Sequence, residues 1–217
     1  MTILDDLKNN KGTLSSELSK KLAVEAINGN LKILDEAIEL ATYFYKNKKE
    51  KNVRSGAGKI VECVAEKRPD LVAPKLDDLL LALEVDEPQT RWCIIRTFGF
   101  CAQLNKVGSK KGIPFARQYI RDKKEGQLCL VSSADIFLGD YGQHTRENKN
   151  DVFDILIESS GNVIKNEHNW ILESIIKLLK HLDVNEKKIV LDIAKEFKGT
   201  IENKTSKLCS KIIQICR

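Results

Sequence analysis

The 217-residue chain is 42% hydrophobic and 31% charged with a net charge of +5, a balance that excludes a disordered segment. No apolar run approaches the roughly 18 residues a membrane helix needs, so no membrane partner is expected. The opening "MTILDDLKNNKG" has acids where a signal peptide carries basic residues, and a cytoplasmic location is expected.

In chain order, helical periodicity predicts a leading helix near 13–28 and a second over 30–45. In "LDEAIELATYFY" the residues Leu34, Ala37, Ile38 and Ala41, then Phe44 or Tyr45, form one apolar stripe. A helix from Val53, "VRSGAGKIVECVAE", precedes one over 72–84, "LDDLLLALEV" being its apolar part. Helices from Thr90 ("TRWCIIRTFGFCAQ"), over 112–123 and from Gln127 ("QLCLVSSADIFLGD") follow. The last expected are 149–165, one from His168 ("HNWILESIIKLLKH"), 186–198 and a weaker one from Thr205. No stretch alternates as a strand would. The four prolines, at 69, 74, 88 and 114, lie near proposed helix starts or junctions, where a missing N–H costs little.

The helices starting at Val53, Thr90 and Gln127 are each 37 residues apart; the copy at His168 comes 41 later and that at Thr205 another 37. Ala57, Ile94 and Val131 fall in register, as do Cys63, Phe100 and Phe137, then Ala65, Ala102 and Gly139. A fixed period near 40 built from two helices is the signature of a solenoid, because neither helix pair buries its apolar face alone.

"LVAPKLDDLLLALEVDEPQTRWCIIRTFGFCA" resembles a HEAT repeat: leucines and a proline on the first helix, then an acid and a proline in the turn, then a Thr-Arg pair opening a small apolar second helix. Asp86, Pro88, Thr90 and Arg91 carry the resemblance, and "NVRSGAGKIV" with Arg54 is a second match. It implies an all-α, right-handed superhelix of about five helix pairs, in one domain over 1–217. Asp86 is expected to accept backbone N–H bonds in the turn. Arg54 and Arg91 are expected to reach acids in inter-helix turns, Asp86 leading for Arg91, as a ladder between repeats. Leu128 stands where the third arginine would be, so the ladder is expected to break there.

Recognisable chemistry is sparse. "SGAGKI" fails as a phosphate loop, since Val53 stands where the first glycine must and Ile60 where the magnesium-binding hydroxyl must. Gly56 and Gly58 are read instead as allowing close helix packing. Six cysteines without a CxxC pair are read as buried free thiols, and three histidines lack ligand spacing, so no metal and no cofactor are expected. No nucleophile, base and orienter recur, so no catalytic residue is assigned and an enzyme is not expected. HEAT-like alkylpurine DNA glycosylases carry a Trp with an Asp one turn later; here Trp170 is followed by Ser174, with Glu173 one position short.

Charge is more informative. Between Glu87 and Asp122 there is no acid, but there are seven cations: Arg91, Arg96, Lys106, Lys110, Lys111, Arg117 and Arg121. Lys123 and Lys124 extend the run, and Trp92, Phe115 and Tyr119 interleave with it. The resemblance implies that second helices line a concave groove. On the helix from Thr90, Arg91, Ile94, Ile95, Phe98 and Cys101 make a core stripe, and Trp92, Arg96, Gly99 and Gln103 an open one. Lys59, Ser133 and Ser174 hold equivalent positions in other copies. A binding groove is therefore expected at Lys59, Trp92, Arg96 and Ser133, with Lys110 and Lys111 at its edge. The expected function is a non-enzymatic scaffold for a protein or peptide. Nucleic acid on residues 91–124 is the second reading, since basic side chains among aromatics fit a phosphate backbone, and a repair enzyme is the third. Oligomeric state is not legible.

Overall fold

In a computed structural model, residues 2–9, 17–43, 50–122, 127–161, 168–199 and 203–216 are described. All regular structure among them is helical, with no strand. The chain groups into two compact units, Met1–Phe115 and Ala116–Arg217, a division that the even repeat spacing does not signal.

The first unit contains α1 (Ile3–Asn9), α2 (Glu17–Ile27), α3 (Leu31–Ala41), α4 (Lys51–Lys67), the single turn α5 (Pro69–Val72), a 3-10 segment (Ala73–Leu83), α6 (Pro88–Phe100) and α7 (Lys106–Lys110). α8 (Ile113–Arg121) carries the division between units. α4 is central, packing against α1, α2, α3 and α6. Its buried positions include Val53, Ala57, Ile60, Val61 and Val64, the i, i+3, i+4 spacing that puts one apolar stripe against its neighbours. α6 buries Ile94, Ile95 and Phe98 completely, and Cys101 just beyond its end, as the periodicity predicts; Arg91 of that stripe stays half-exposed.

The helix expected over 72–84 is a 3-10 run. The reason lies in the spacing of its apolar residues: Ala73, Leu76, Leu79 and Ala82 recur strictly every third residue and all are buried. A helix of 3.0 residues per turn keeps that set on one line, whereas 3.6 per turn would rotate it off the core. α1 is unexpected from the sequence and is held by two buried side chains, Ile3 and Leu7. Leu7 lies over Gly56 of α4, where a Cβ would come within 2.6 Å of its Cδ2. Around Gly58 the neighbours Thr90 and Cys93 stand at ordinary contact distance, so only the first of the two glycines marks a close approach.

The second unit contains α9 (Leu128–Gly142), α10 (Arg146–Ser160), α11 (His168–Leu178) with a 3-10 turn at Leu179–His181, α12 (Val184–Phe197) and α13 (Asn203–Cys216). α9 packs on α10 and α11, and α11 on α13. At the α9–α11 crossing Gly139 meets Ser174 so closely that a Cβ would fall 2.8 Å from the Ser174 Cα. α12 starts with a capping box: Asp183 accepts from the Glu186 backbone N–H, and the Glu186 carboxylate accepts from that of Asp183.

Ion pairs tie helices about one repeat apart within each unit. In the first, Lys75 pairs with Asp35, 40 residues away, and Lys111 Nζ lies 2.7 Å from Asp77, 34 away. In the second, Arg121 is bidentate on Glu158 at 2.7 and 3.0 Å, Lys149 lies 2.5 Å from Glu186 and Lys177 2.5 Å from Asp140, each 37 residues apart. Most are surface pairs, each contributing about 0–1 kcal/mol. Lys149 is the exception, only 1% exposed.

Candidate binding site

The turn between the 3-10 segment and α6 shows how local chemistry places a buried charge. Pro88 sits at the first helical position, and a residue before proline is pushed out of the helical region; Glu87 accordingly has φ −79° and ψ 122°. From there its carboxylate meets Arg54 of α4, which is fully buried. Arg54 Nε pairs with Glu87 Oε1, Nη2 donates to Oε2 at 3.0 Å, and Nη1 donates to the Tyr43 carbonyl at 2.9 Å. Thr90 Oγ1 donates to the same carboxylate at 3.2 Å.

The acid that meets Arg54 is thus Glu87, as an acid in an inter-helix turn was expected to. Asp86 is exposed, and its contact with Arg91 runs through its main-chain carbonyl, 3.4 Å from Arg91 Nη2. The extended backbone before Pro88 and the longer glutamate stem decide which acid reaches inward. Leu128, at the third position, is 36% exposed.

Lys59, Trp92 and Arg96 lie on the packed helices α4 and α6, and all three are half-exposed. Lys59 Nζ lies 2.7 Å from Glu62, one turn on. Partial burial pulls its ammonium down, but the hydrogen bond and charge of Glu62 outweigh this and hold its pKa above the ordinary value. Glu62 also acts on Cys93 of α6, whose thiol is pushed well up, first by burial and then by that carboxylate. Arg96 stands with its guanidinium carbon 5.1 Å from the Phe100 ring centroid. Its Nε is sealed from solvent with no hydrogen-bond acceptor among the described residues.

The remaining expected site residues lie on other elements. Ser133 is on α9 in the second unit and only 8% exposed, so it is not a groove surface. Ser174, its equivalent on α11, is also buried, at the Gly139 approach. Repeat register places these serines as it places Lys59, but the tight α9–α11 crossing closes over Ser174. Lys110 is exposed on α7, and Lys111 is engaged by Asp77.

The basic window is therefore less basic in space than in sequence. Lys111 and Arg121 face acids from outside it, and the charge of Arg117 acts on Glu158 too. Lys123 and Lys124 lie outside the described residues. Near the glycosylase-like position, Glu173 pairs with Lys204 at 2.9 Å.

The cysteines divide. Cys93, Cys101 and Cys209 are buried, Cys63 and Cys216 are half-exposed and Cys129 is exposed, which corrects the expectation of uniform burial. Among the described residues no three His, Cys, Asp or Glu side chains are grouped as a metal would need, and no helix is long and apolar enough to cross a membrane. Clefts open at the surface among the described residues. One, of about 590 Å³, lies between α3 and the 3-10 segment, lined by Asp35, Glu39, Asp78 and Lys75. Another, of about 600 Å³, is lined by Ile157, Ile189 and the edge-on pair His168–Phe197, whose ring centroids are 4.4 Å apart.

No protein-family model matches the chain, and no curated protein matches it. A crystal structure of an engineered protein from the Northeast Structural Genomics Consortium is similar in fold, with a TM-score of 0.70 at 10% identity, over 100% of this chain and 97% of that one. At that identity the likeness concerns the path of the chain and carries no activity.

Proposed function

We propose that this protein is a HEAT-like α-solenoid, built of about five helix pairs, that works as a non-enzymatic scaffold for a protein or peptide partner. Support for the solenoid comes from the 37-residue sequence period together with ion pairs at 34, 37 and 40 residues' separation. The observation that carries the function is the face of α4 and α6. It is mixed in charge, with the Lys59–Glu62 pair on α4 and Arg96 on α6, and it offers half-exposed aromatic surface at Trp92 and Phe100. Such a face suits a peptide better than a phosphate backbone, which needs consecutive cations and is repelled by Glu62.

The nucleic-acid reading keeps one specific support, the exposed Lys110 and Arg117. A salt-series titration with single- and double-stranded oligonucleotides decides between the two. On the scaffold reading, oligonucleotide binding is weak. Reversing Arg96 and Lys110 to Glu then affects it no more than reversing Lys187 and Lys188. Tight binding with a steep salt slope, lost only with the first pair, replaces the scaffold reading.

A further inference from the structure

α12 carries more apolar surface than its own packing uses. Val190, Ala194 and Phe197 are its buried positions. Ile189, Asp192, Ile193, Glu196 and Phe197 follow the i, i+3, i+4, i+7, i+8 spacing of one helix face, and all five line the cleft of about 600 Å³ in the second unit. Ile189 is left 44% exposed there. The cleft is also lined by Ile157 and Ser160 in the last turn of α10, by its C-cap Gly161, and by His168, edge-on to Phe197.

Three features make this cleft negative. Asp192 and Glu196 stand one turn apart on α12, the C-terminus of α10 presents the negative end of a 15-residue helix, and no Lys or Arg is among the described lining residues. Glu196 is exposed and has no cation partner among the described residues. Asp192 holds only Lys195, at 3.2 Å, and both side chains are more than half exposed, so a ligand's cation can replace that contact. The cleft beside α3 differs, since Lys75 already answers Asp35 there and Ile38 is its one apolar residue among those described.

We propose that the cleft along α12 docks a basic amphipathic peptide segment of a partner protein, with an apolar side chain against Ile157, Ile189 and Ile193 and a neighbouring Lys or Arg meeting Glu196 and Asp192. The proposal rests on the scaffold reading and adds a second place of contact with its own chemistry. A volume of this size is that of a small-ligand pocket, so it admits side chains rather than a whole helix. The apolar side chain takes Ile189 out of water, and the cation gives Glu196 the partner it lacks. An acidic segment is opposed by both carboxylates and by the end of α10.

The test is a titration of the full chain, followed through its isoleucine methyl and tryptophan indole signals, with Ile189→Val and Ile193→Val to assign the first. Four probes are used: a short peptide of Leu and Lys, its counterparts with Gln or Glu at each Lys, and hexylammonium. The expected result is saturable movement of the Ile189 and Ile193 signals with the Lys peptide, weakening as salt rises. The Gln peptide should bind about tenfold more weakly, and the Glu peptide more weakly still. Glu196→Gln should weaken the Lys peptide about three- to fivefold, whereas Glu39→Gln, in the cleft beside α3, should leave it unchanged. Glu196 is exposed, so its variant should melt as the parent does; if it does not, the three peptides on the unaltered chain still decide. If Glu39→Gln weakens binding as much as Glu196→Gln does, or if the Trp92 indole moves while both isoleucines stay still, the site is wrong and the scaffold reading stands. If no peptide moves any signal, the site is wrong, and the scaffold reading answers separately to the oligonucleotide titration. If hexylammonium binds as tightly as the Lys peptide, the ligand is a small organic cation and the peptide is wrong.

Discussion

Replacing Arg54 by methionine should destabilise the first unit by about 3–5 kcal/mol, the range for removing one partner of a buried ion pair. The side chain is 1% exposed and, among the described residues, gives two hydrogen bonds to Glu87 and one to the Tyr43 carbonyl. Methionine fills much of the volume, so the loss comes from Glu87, whose side chain is 10% exposed and keeps only Thr90 Oγ1 from the set described. Those two mitigating facts place the expectation near the lower end, about 3 kcal/mol. At roughly 4 °C per kcal/mol for a unit of this size, the midpoint should fall by about 12 °C. Trp92 lies in the first unit and Trp170 in the second. Fluorescence-detected unfolding in a Trp170→Phe background therefore reports on the first unit alone. Adding Glu87→Leu should recover part of the loss, because the stranded carboxylate is then gone. A loss under about 1 kcal/mol would put the pair among ordinary surface bridges, and a double mutant worse than Arg54→Met alone would refute the argument.

Gly139→Ala should lower stability by about 1–3 kcal/mol in urea unfolding, since the new Cβ meets the Ser174 backbone; Gly56→Ala should cost less, because the flexible tip of Leu7 can turn aside. In a timed thiol-labelling series read by mass spectrometry, exposed Cys129 should react first. Cys101, which burial pushes up to about 12, and Cys93 should react only on unfolding. The Asp183 carboxyl is held low, chiefly by the Glu186 backbone N–H, so its capping contribution is present above the unfolded value near pH 4 and is lost as pH falls through the lower folded value. The melting difference between Asp183→Asn and the parent should thus be constant from about pH 5 to 7 and shrink below about pH 4.

The core of α6 was legible because Ile94, Ile95 and Phe98 obey the helical period and are all buried. The segment Ala73–Leu83 was legible as helix but not as the tighter form, since spacing of three residues satisfies both patterns over a short run. That Arg54 meets an acid in the turn was legible; which acid was not, because Glu87 and Asp86 look alike in a sequence and only the backbone constraint before Pro88 separates them. Ser133 was misplaced because equal register was taken to mean equal exposure, whereas helix separation varies with the residue at each crossing. The unmatched Nε of Arg96 could not be seen at all, because an absent neighbour leaves no mark on the chain's order.

The sense of the ion pairs along the chain limits how its parts can be exchanged. In the first unit the surface pairs run from acid to cation, as Asp35 to Lys75 and Asp77 to Lys111, while the buried Arg54 comes before its acid, Glu87. In the second, Arg121 and Lys149 come first and their acids, Glu158 and Glu186, follow, while Lys177 returns to Asp140. Segments of similar apolar pattern therefore carry charges whose partners lie in different directions along the chain. A shuffled or duplicated array would part these pairs at its new joints. The order of the helices is written in their charge as well as in their connections.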